Sequence, residues 1–342
     1  MGLTKLTKRV LITGGAGFIG SQLCEKLVSM GHKVSILDNF SSGKSGNIRS
    51  LSRPDDRIRL IKGDCKNPRD VKKALSRVQV VYHFAAKPEI RLDRSDPSTC
   101  FNENIYATYV LLEQMKNSEV ETIGFASSST VYGEAKLLPT PEDYGPLEPI
   151  SIYGASKLAS EGLISAYAHS YRMKAVILRL ANIIGLRSNH GIISDFLKQI
   201  QKRPRELKIL GDGNQTKSYL HIDDCISAIL GATRNITRPV NVINIGSEDQ
   251  LDVSTIAKLS LEEARLENTR IKFTQTIPDG RGWNGDVRNM LLDISKLRSL
   301  GWRPKYTSEQ AVRLTMRSQL HGGPKLAPTA RSQAMRQELV SA

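Results

Sequence analysis

The stretch VLITGGAGFIG, residues 10–20, constrains the fold more than any other part of the chain. Val10, Leu11 and Ile12 form a short apolar run of the kind that becomes a strand buried on both faces. Gly14, Gly17 and Gly20 follow at intervals of three, and Gly15, Gly17 and Gly20 also satisfy G-x-G-x-x-G. Leu23, Leu27 and Val28 then make a helical stripe that stops at Gly31. The glycines therefore sit in a strand-to-helix turn. A turn without Cβ atoms lets backbone N–H groups reach a diphosphate, and the helix N-terminus beyond it favours negative charge. A second apolar run, 34–37, ends in Asp38. An acid at the tip of the second strand, about 20 residues beyond the glycines, suits a ribose 2′-hydroxyl. Its charge repels a 2′-phosphate, so the pattern favours NAD over NADP, with Lys44 as the one nearby cation working the other way.

The rest of the chain continues the same rhythm. Strands are expected at 57–61, 78–84, 122–126 and 175–180, and long helices at 95–116 and 152–171. This alternation implies an α/β fold with a doubly wound, mostly parallel sheet. Asp64 follows the third strand, either as an acceptor for the adenine amine or as a turn or helix-cap residue before Pro68. Ala85 and Ala86 follow the fourth, leaving room for a cofactor in the crevice at the strand ends. Past residue 181 the loops lengthen. Helices are expected at 191–202, 222–234 and 253–267, and short strands at 207–210, 218–221 and 241–245. We expect a NAD-binding domain over 1–180 and a smaller mixed region over 181–320, with the chain free to cross back between them. Residues 321–342 read as a mobile basic tail.

Composition narrows the possibilities. With 39% hydrophobic and 24% charged residues the chain resembles an ordinary globular protein, and no run is long enough to cross a membrane. Cys24, Cys65, Cys100 and Cys225 are scattered without a C-x-x-C pair, which fits reduced thiols in a cytosolic protein rather than a metal site or disulfide framework. The net charge of +15 raises the question of nucleic acid, but the basic residues are dispersed and no nucleic-acid motif accompanies them.

Tyr153 and Lys157 form Y-x-x-x-K in the helix expected over 152–171. Residues four apart on a helix share a face, and an ammonium beside a phenol favours the phenolate. Such a pair can take a proton from an alcohol. Tyr132 and Lys136 match the same pattern, but Gly133 and the prolines beyond leave no helix to hold them. Ser127, Ser128, Ser129 and Thr130 each offer a hydroxyl at the end of the fifth strand, and spacing does not choose among them.

Together, TGGAGFIG, ASSSTVYG and SIYGASK resemble the extended short-chain dehydrogenase/reductase family, in particular its NAD-dependent nucleotide-sugar 4-epimerases. The resemblance covers roughly residues 8–320. It implies catalytic roles for Ser128, Tyr153 and Lys157. It implies NAD contacts at Gly14, Gly17, Phe18, Ile19, Gly20, Asp38, Asn39, Asp64, Cys65, Ala85, Ala86, Lys87 and Asn104, besides Tyr153 and Lys157. It implies a UDP-sugar substrate against Lys87, Ser128, Ser129, Tyr153, Asn182, Lys217, Arg281 and Met290, no metal, and a homodimer paired through helices 95–116 and 152–171. Three departures bear on chemistry. Ser128-Ser129-Thr130 lacks the acids of the related dehydratases and decarboxylases, which argues against elimination. Lys217 stands where the family has an arginine, keeping charge but losing the bidentate fork. Met290 stands for a bulky tyrosine that excludes N-acetyl sugars, which leaves a 2-acetamido group open. The implied activity is inversion at C4 of a UDP-hexose. The alternatives are another nucleotide-sugar oxidoreductase, a UDP-glucuronate epimerase, or a non-catalytic NAD- or RNA-binding protein.

Overall fold

The structure, a computed structural model, describes residues 7–51, 56–88, 96–234, 236–274 and 277–321. The lead-in before residue 7 and all of the expected basic tail beyond His321 lie outside the described residues. In chain order the first half comprises β1 (Arg9–Thr13), α1 (Phe18–Ser29), β2 (Lys33–Asp38), β3 (Ile58–Lys62), α2 (Pro68–Ala74), β4 (Val80–His83), α3 (Pro97–Cys100), α4 (Ala107–Met115), β5 (Thr122–Ser128), α5 (Ile152–Ser170) and β6 (Lys174–Leu180). The second half comprises β7 (Asn182–Ile184), α6 (Ile192–Lys202), β8 (Glu206–Leu210), β9 (Thr216–Lys217), β10 (Tyr219–His221), α7 (Ile222–Ala232), β11 (Val240–Ile245), β12 (Leu251–Asp252), α8 (Val253–Glu263), β13 (Arg270–Thr274), β14 (Asn289–Met290), α9 (Ser295–Ser299) and α10 (Ser308–Leu320).

Seven strands form one sheet in the order β11-β6-β5-β4-β1-β2-β3, all pairs parallel. The two-residue period of a strand explains how it is covered. Val10 and Ile12 of β1, with Val34 and Ile36 of β2, pack with Leu23 and Leu27 of α1 and Ile226 and Ile229 of α7. Leu11, between them, points the other way, into a second core with Val71 of α2, Leu111 and Leu112 of α4 and Ile164 of α5. Each such aliphatic side chain contributes about 1.5–3 kcal/mol when fully buried. The sheet is therefore a central layer between two apolar layers, a Rossmann-type α/β fold. The winding direction reverses between β1 and β4, and at such a switch point a crevice opens above the C-terminal strand ends.

Two expectations change. The strand expected at 241–245 within the smaller region is β11, which extends the large sheet beside β6, and α7 packs against α1. Its alternate residues Ile243 and Ile245 need the sheet-and-helix core to be buried, which is why the chain crosses back. The helix expected over 95–116 has its first residue outside the description, and it is not continuous. A π-helical segment, Phe101–Tyr106, separates α3 from α4 and turns Asn104 inward.

The remaining strands pair in small units: β10 with β7, β12-β9-β14, and β13 with β8. β7, β8, β10, β12 and β13 rest on a third core built from Phe196 and Leu197 of α6, Leu207 and Ile209 of β8, Ile256 of α8, and Val312 and Met316 of α10, while Met290 of β14 packs in a smaller one with Tyr132 and Leu292. Of these elements β7, β9, β12, β13, β14, α9 and α10 were not expected from the sequence. Among the described residues no helix is long and apolar enough to cross a membrane.

Candidate functional site

A cavity of about 870 Å³ lies between the C-terminal ends of the large sheet and the small strand units. Its floor is the turn after β1. Gly14 has φ +69°, and a Cβ there would come within 2.7 Å of the Ala85 amide nitrogen. A Cβ on Gly20 would sit 2.3 Å from the Gly14 carbonyl oxygen, so only glycine lets α1 start this close to the turn. Gly17 caps α1 without a side-chain bond, leaving the first-turn N–H groups to a ligand. Asp38 closes β2 beside this turn. Its Oδ2 accepts from the Ala16 amide at 2.8 Å and its Oδ1 from the Phe40 amide at 2.8 Å. These features fit a dinucleotide: a cradle that a Cβ would fill, a helix N-terminus facing it and an acid at the second strand end.

Asn39, Asp64, Cys65, Ala85 and Ala86 also line the cavity, as do Phe18 and Ile19. Asp64 is held in place by its neighbours. Asn39 Nδ2 donates to it at 3.1 Å and the Lys66 amide at 2.8 Å, while Asn67 rather than Asp64 caps α2. Burial pushes the Cys65 thiol up to about 12. Lys87 and Asn104, expected on the cofactor, do not line the cavity. The Asn104 carboxamide is used up inside the protein: Oδ1 accepts from the Lys87 amide at 2.8 Å and Nδ2 donates to Ser156 Oγ at 2.8 Å. It joins the loop after β4 to α5, and the inward turn of the π-helical segment accounts for this.

His83, which the sequence did not single out, lies sealed beneath the floor. Thr108 Oγ1 donates to the Asn104 carbonyl at 2.5 Å, so it accepts from His83 Nε2 at 3.0 Å. Nδ1 then accepts from Thr13 Oγ1 at 2.7 Å, and Thr13 in turn accepts from the Ala85 amide at 3.3 Å. Burial, with Lys157 nearby, lowers His83 to about 3, so the ring is neutral.

The chemistry gathers at the end of β5. Ser128, Ser129, Tyr153 and Lys157 all face the cavity. Lys157 is buried and donates to the Ala126 carbonyl at 2.8 Å, with Nζ 5.8 Å from the centre of the Tyr153 ring. Burial lowers the Lys157 ammonium from its ordinary 10.5 to about 8, against an opposing pull from Glu161. Of the neighbouring hydroxyls, Ser127 donates to Glu161 and is spent there. Ser128 Oγ accepts from the Thr130 amide at 3.2 Å and its hydroxyl at 2.9 Å, which leaves its own proton to donate into the cavity. The second Y-x-x-x-K is not assembled. Tyr132 is buried, bonded to Asn244 at 2.8 Å, and burial pushes it up to about 12, while the Lys136 amide donates to Tyr144.

On the far side Asn182, Lys217 and Met290 line the cavity. Asn182 Nδ2 donates to the Ser218 carbonyl at 3.3 Å. Lys217 pairs with the buried Asp286 carboxylate and stands opposite Met290 in the β9–β14 register. Arg281, expected on phosphate, does not line the cavity. Burial works against its charge, but bonds to Asp279 and Glu134 outweigh that and hold its pKa above the ordinary value. Trp283, two residues on, takes the inward place, its ring 5.3 Å from Lys217 Nζ. Arg187 also lines the cavity, tied to Ser21 Oγ at 3.0 Å and Glu25 at 2.7 Å. Nothing in the local pattern of residues 184–191 marks it, because its partners lie on α1.

The model of the NAD dependent epimerase/dehydratase family matches residues 10–246. The chain belongs to this family. A putative UDP-glucose 4-epimerase of Methanocaldococcus jannaschii is 32% identical over 310 residues, covering 89% of this chain and 96% of the relative. A crystal structure of UDP-galactose 4-epimerase superposes with a TM-score of 0.81 at 38% identity, over 92% of this chain and 99% of that one. A UDP-glucuronic acid 4-epimerase from Bacillus cereus, in complex with UDP-glucuronic acid and NAD, has a TM-score of 0.83 at 30% identity, over 92% and 99%. NAD is the cofactor for which the family is named, and the glycine turn with Asp38 is built to hold it.

Proposed function

We propose that this chain inverts C4 of a UDP-hexose, interconverting UDP-glucose and UDP-galactose or their 2-acetamido counterparts. The observation that carries this is the placing of Tyr153, Lys157 and Ser128 on the wall of the same cavity whose floor is the dinucleotide turn. Gly14, Gly17 and Gly20 with Asp38 hold the cofactor, and Lys157 steadies its nicotinamide ribose. Bound NAD supplies a hydride acceptor and donor at C4. Tyr153, as phenolate, takes the proton of the 4-hydroxyl and later returns it. Ser128 donates to the same oxygen and steadies it as its charge changes. Lys157 lowers the phenol's pKa while it remains an ammonium. Asn182 and Lys217 anchor the nucleotide diphosphate, with Arg187 as a further cation on the wall. The hexose must turn between proton removal and return, and the apolar Met290 and Trp283 beside it leave it free of tight polar contacts. No acid stands at Ser128-Ser129-Thr130 to drive elimination.

Tyr153→Phe should lower interconversion of UDP-glucose and UDP-galactose by about 10²–10⁴-fold while NAD stays bound. A variant with full activity overturns the assignment. Product analysis with UDP-glucose, UDP-galactose, UDP-GlcNAc and UDP-glucuronate identifies the sugar.

We further propose a cytosolic homodimer. Phe101, Tyr106 and Tyr109 on the helices before β5, with Tyr171 at the end of α5, are exposed large side chains on the face expected to pair. Four buried thiols without a disulfide support the compartment. Phe101→Asp should convert a dimer to a monomer on size-exclusion chromatography.

A further inference from the structure

One turn beyond Lys157 on α5 lies Glu161, a carboxylate that the chemistry above does not use. It is sealed in the protein with Arg179 of β6, their side chains 6% and 5% exposed. Arg179 Nε donates to the two carboxylate oxygens at 3.1 and 3.3 Å and Nη2 donates at 2.8 Å, while Ser127 Oγ donates to Oε1. Burying such a pair is costly, and apolar residues of the same volume often serve stability as well. Stability is therefore a weak reason for it, and position offers a better one.

Tyr153, Lys157 and Glu161 recur every fourth residue along one face of α5. The Lys157 ammonium donates to Ala126 O and lies 4.8 Å from the centre of the Phe125 ring, two contacts that favour the cation, while its burial works against it. The groups around it come from four elements. Tyr153 and Glu161 share its helix, neutral His83 faces it from β4, Cys100 from α3, and Arg179 stands behind Glu161 on β6. Glu161 is the carboxylate acting in favour of the cation. Its second contact concerns the strand. Both Ser127 and Ser128 border the cavity, but Ser127 gives its hydroxyl proton to Glu161, so of the two only Ser128, on the other side of the strand, keeps its proton for a ligand.

We propose that Glu161, clamped by Arg179, is a positioning residue that keeps Lys157 cationic and turns the end of β5 so that Ser128 meets the substrate. This rests on the reading of Tyr153 as base and Lys157 as its partner. The test is the pH dependence of kcat for interconversion of UDP-glucose and UDP-galactose. In Glu161→Gln the alkaline limit, where Lys157 loses its proton, should fall by about one pH unit. Glu161→Asp, which keeps the charge, should restore it. Glu161→Gln leaves Arg179 buried and unpaired, so the double variant Glu161→Gln/Arg179→Met, which removes that second cation and leaves Lys157 alone without its carboxylate, is measured beside it and should show a shift in the same direction. An alkaline limit unchanged in the double variant overturns the proposal, whatever the absolute rate. Tyr153→Phe, run in parallel, separates the two readings. If it keeps activity, the base assignment falls. If it loses activity while the double variant keeps its alkaline limit, only the role of Glu161 falls.

Discussion

The two walls of the cavity are built in different ways. One is the end of β5 with the first turns of α5, and the other is the strip 278–290 with β9. On the first wall Ser128 ends a strand of seven residues, paired with β6 along its length and with β4 over Thr122–Phe125, and Tyr153 and Lys157 ride a helix of 19 residues. Their spacing in the chain is their spacing in the site. On the second wall, strands of two residues, β9 and β14, carry Lys217 and Met290, and Arg281 is drawn away by Glu134, 147 residues distant. In the proposed reaction, proton transfer thus sits on regular elements, and ligand grip sits on short pieces placed by distant partners. Changes on the second wall can retune the substrate without disturbing the first.

The comparison can be broken from either side. After Tyr153→Phe, the largest effect is expected at the floor beneath both walls. Gly20→Ala puts a Cβ 2.3 Å from a backbone oxygen. Overpacking of this kind costs roughly 1–3 kcal/mol. Placed on the phosphate turn, it should weaken NAD binding about ten- to a hundredfold by calorimetry. On the irregular side, Lys217→Met should raise KM for UDP-glucose about tenfold with little change in kcat, as for a lost charge-assisted bond. Its Tm should also fall, because the buried Asp286 loses its partner.

A titration sharpens the contrast further. Lys157 has its proton affinity lowered from 10.5 to about 8. Below that pH the fold must hold a buried cation at a cost. As pH rises through 8 toward 10.5 the folded lysine is neutral while the unfolded one is still protonated, so the unfolded state binds more protons and stability rises. Activity, which needs the cation, should fall over the same range. Tm and turnover measured on one sample from pH 7 to pH 10 should therefore move in opposite directions. Smallest of all, Arg281→Ala should leave KM unchanged and lower stability by on the order of 1 kcal/mol, because its partners are part-exposed carboxylates. A raised KM would move Arg281 back to the ligand.

What the sequence makes legible follows the same division. The strand–glycine–helix order of residues 10–31 and the Y-x-x-x-K of α5 are local patterns, and the structure brings Gly14, Gly17, Gly20, Asp38, Tyr153 and Lys157 to one cavity. Ser127 and Ser128 were not separable by spacing, because Glu161, 34 residues beyond Ser127, decides which hydroxyl is spent. That Trp283 lines the cavity and Arg281 does not was not legible for a related reason. A phosphate-binding arginine at 281 is what the family resemblance implies, but which side chain turns inward depends on Asp279, Glu134 and Asp286. That β11 joins the large sheet, although it lies within 181–320, was not legible because a strand of five or six residues carries no record of its partner. His83 gave no signal at all, since its bonding partners Thr13 and Thr108 are 70 and 25 residues away.

The buried thiols have a practical consequence. Cys24 and Cys225 belong to the core on the α1 and α7 side of the sheet, and Cys65 to the core on the other side. Burial raises the pKa of all three well above the ordinary thiol value, so the closed protein offers little thiolate, and Cys24 and Cys225, which do not line the cavity, are also out of a reagent's reach. Alkylation by a small maleimide would then run only as fast as each layer opens. Mass spectrometry of the labelled peptides would time the loosening of the two helical coats separately, with no engineered probe.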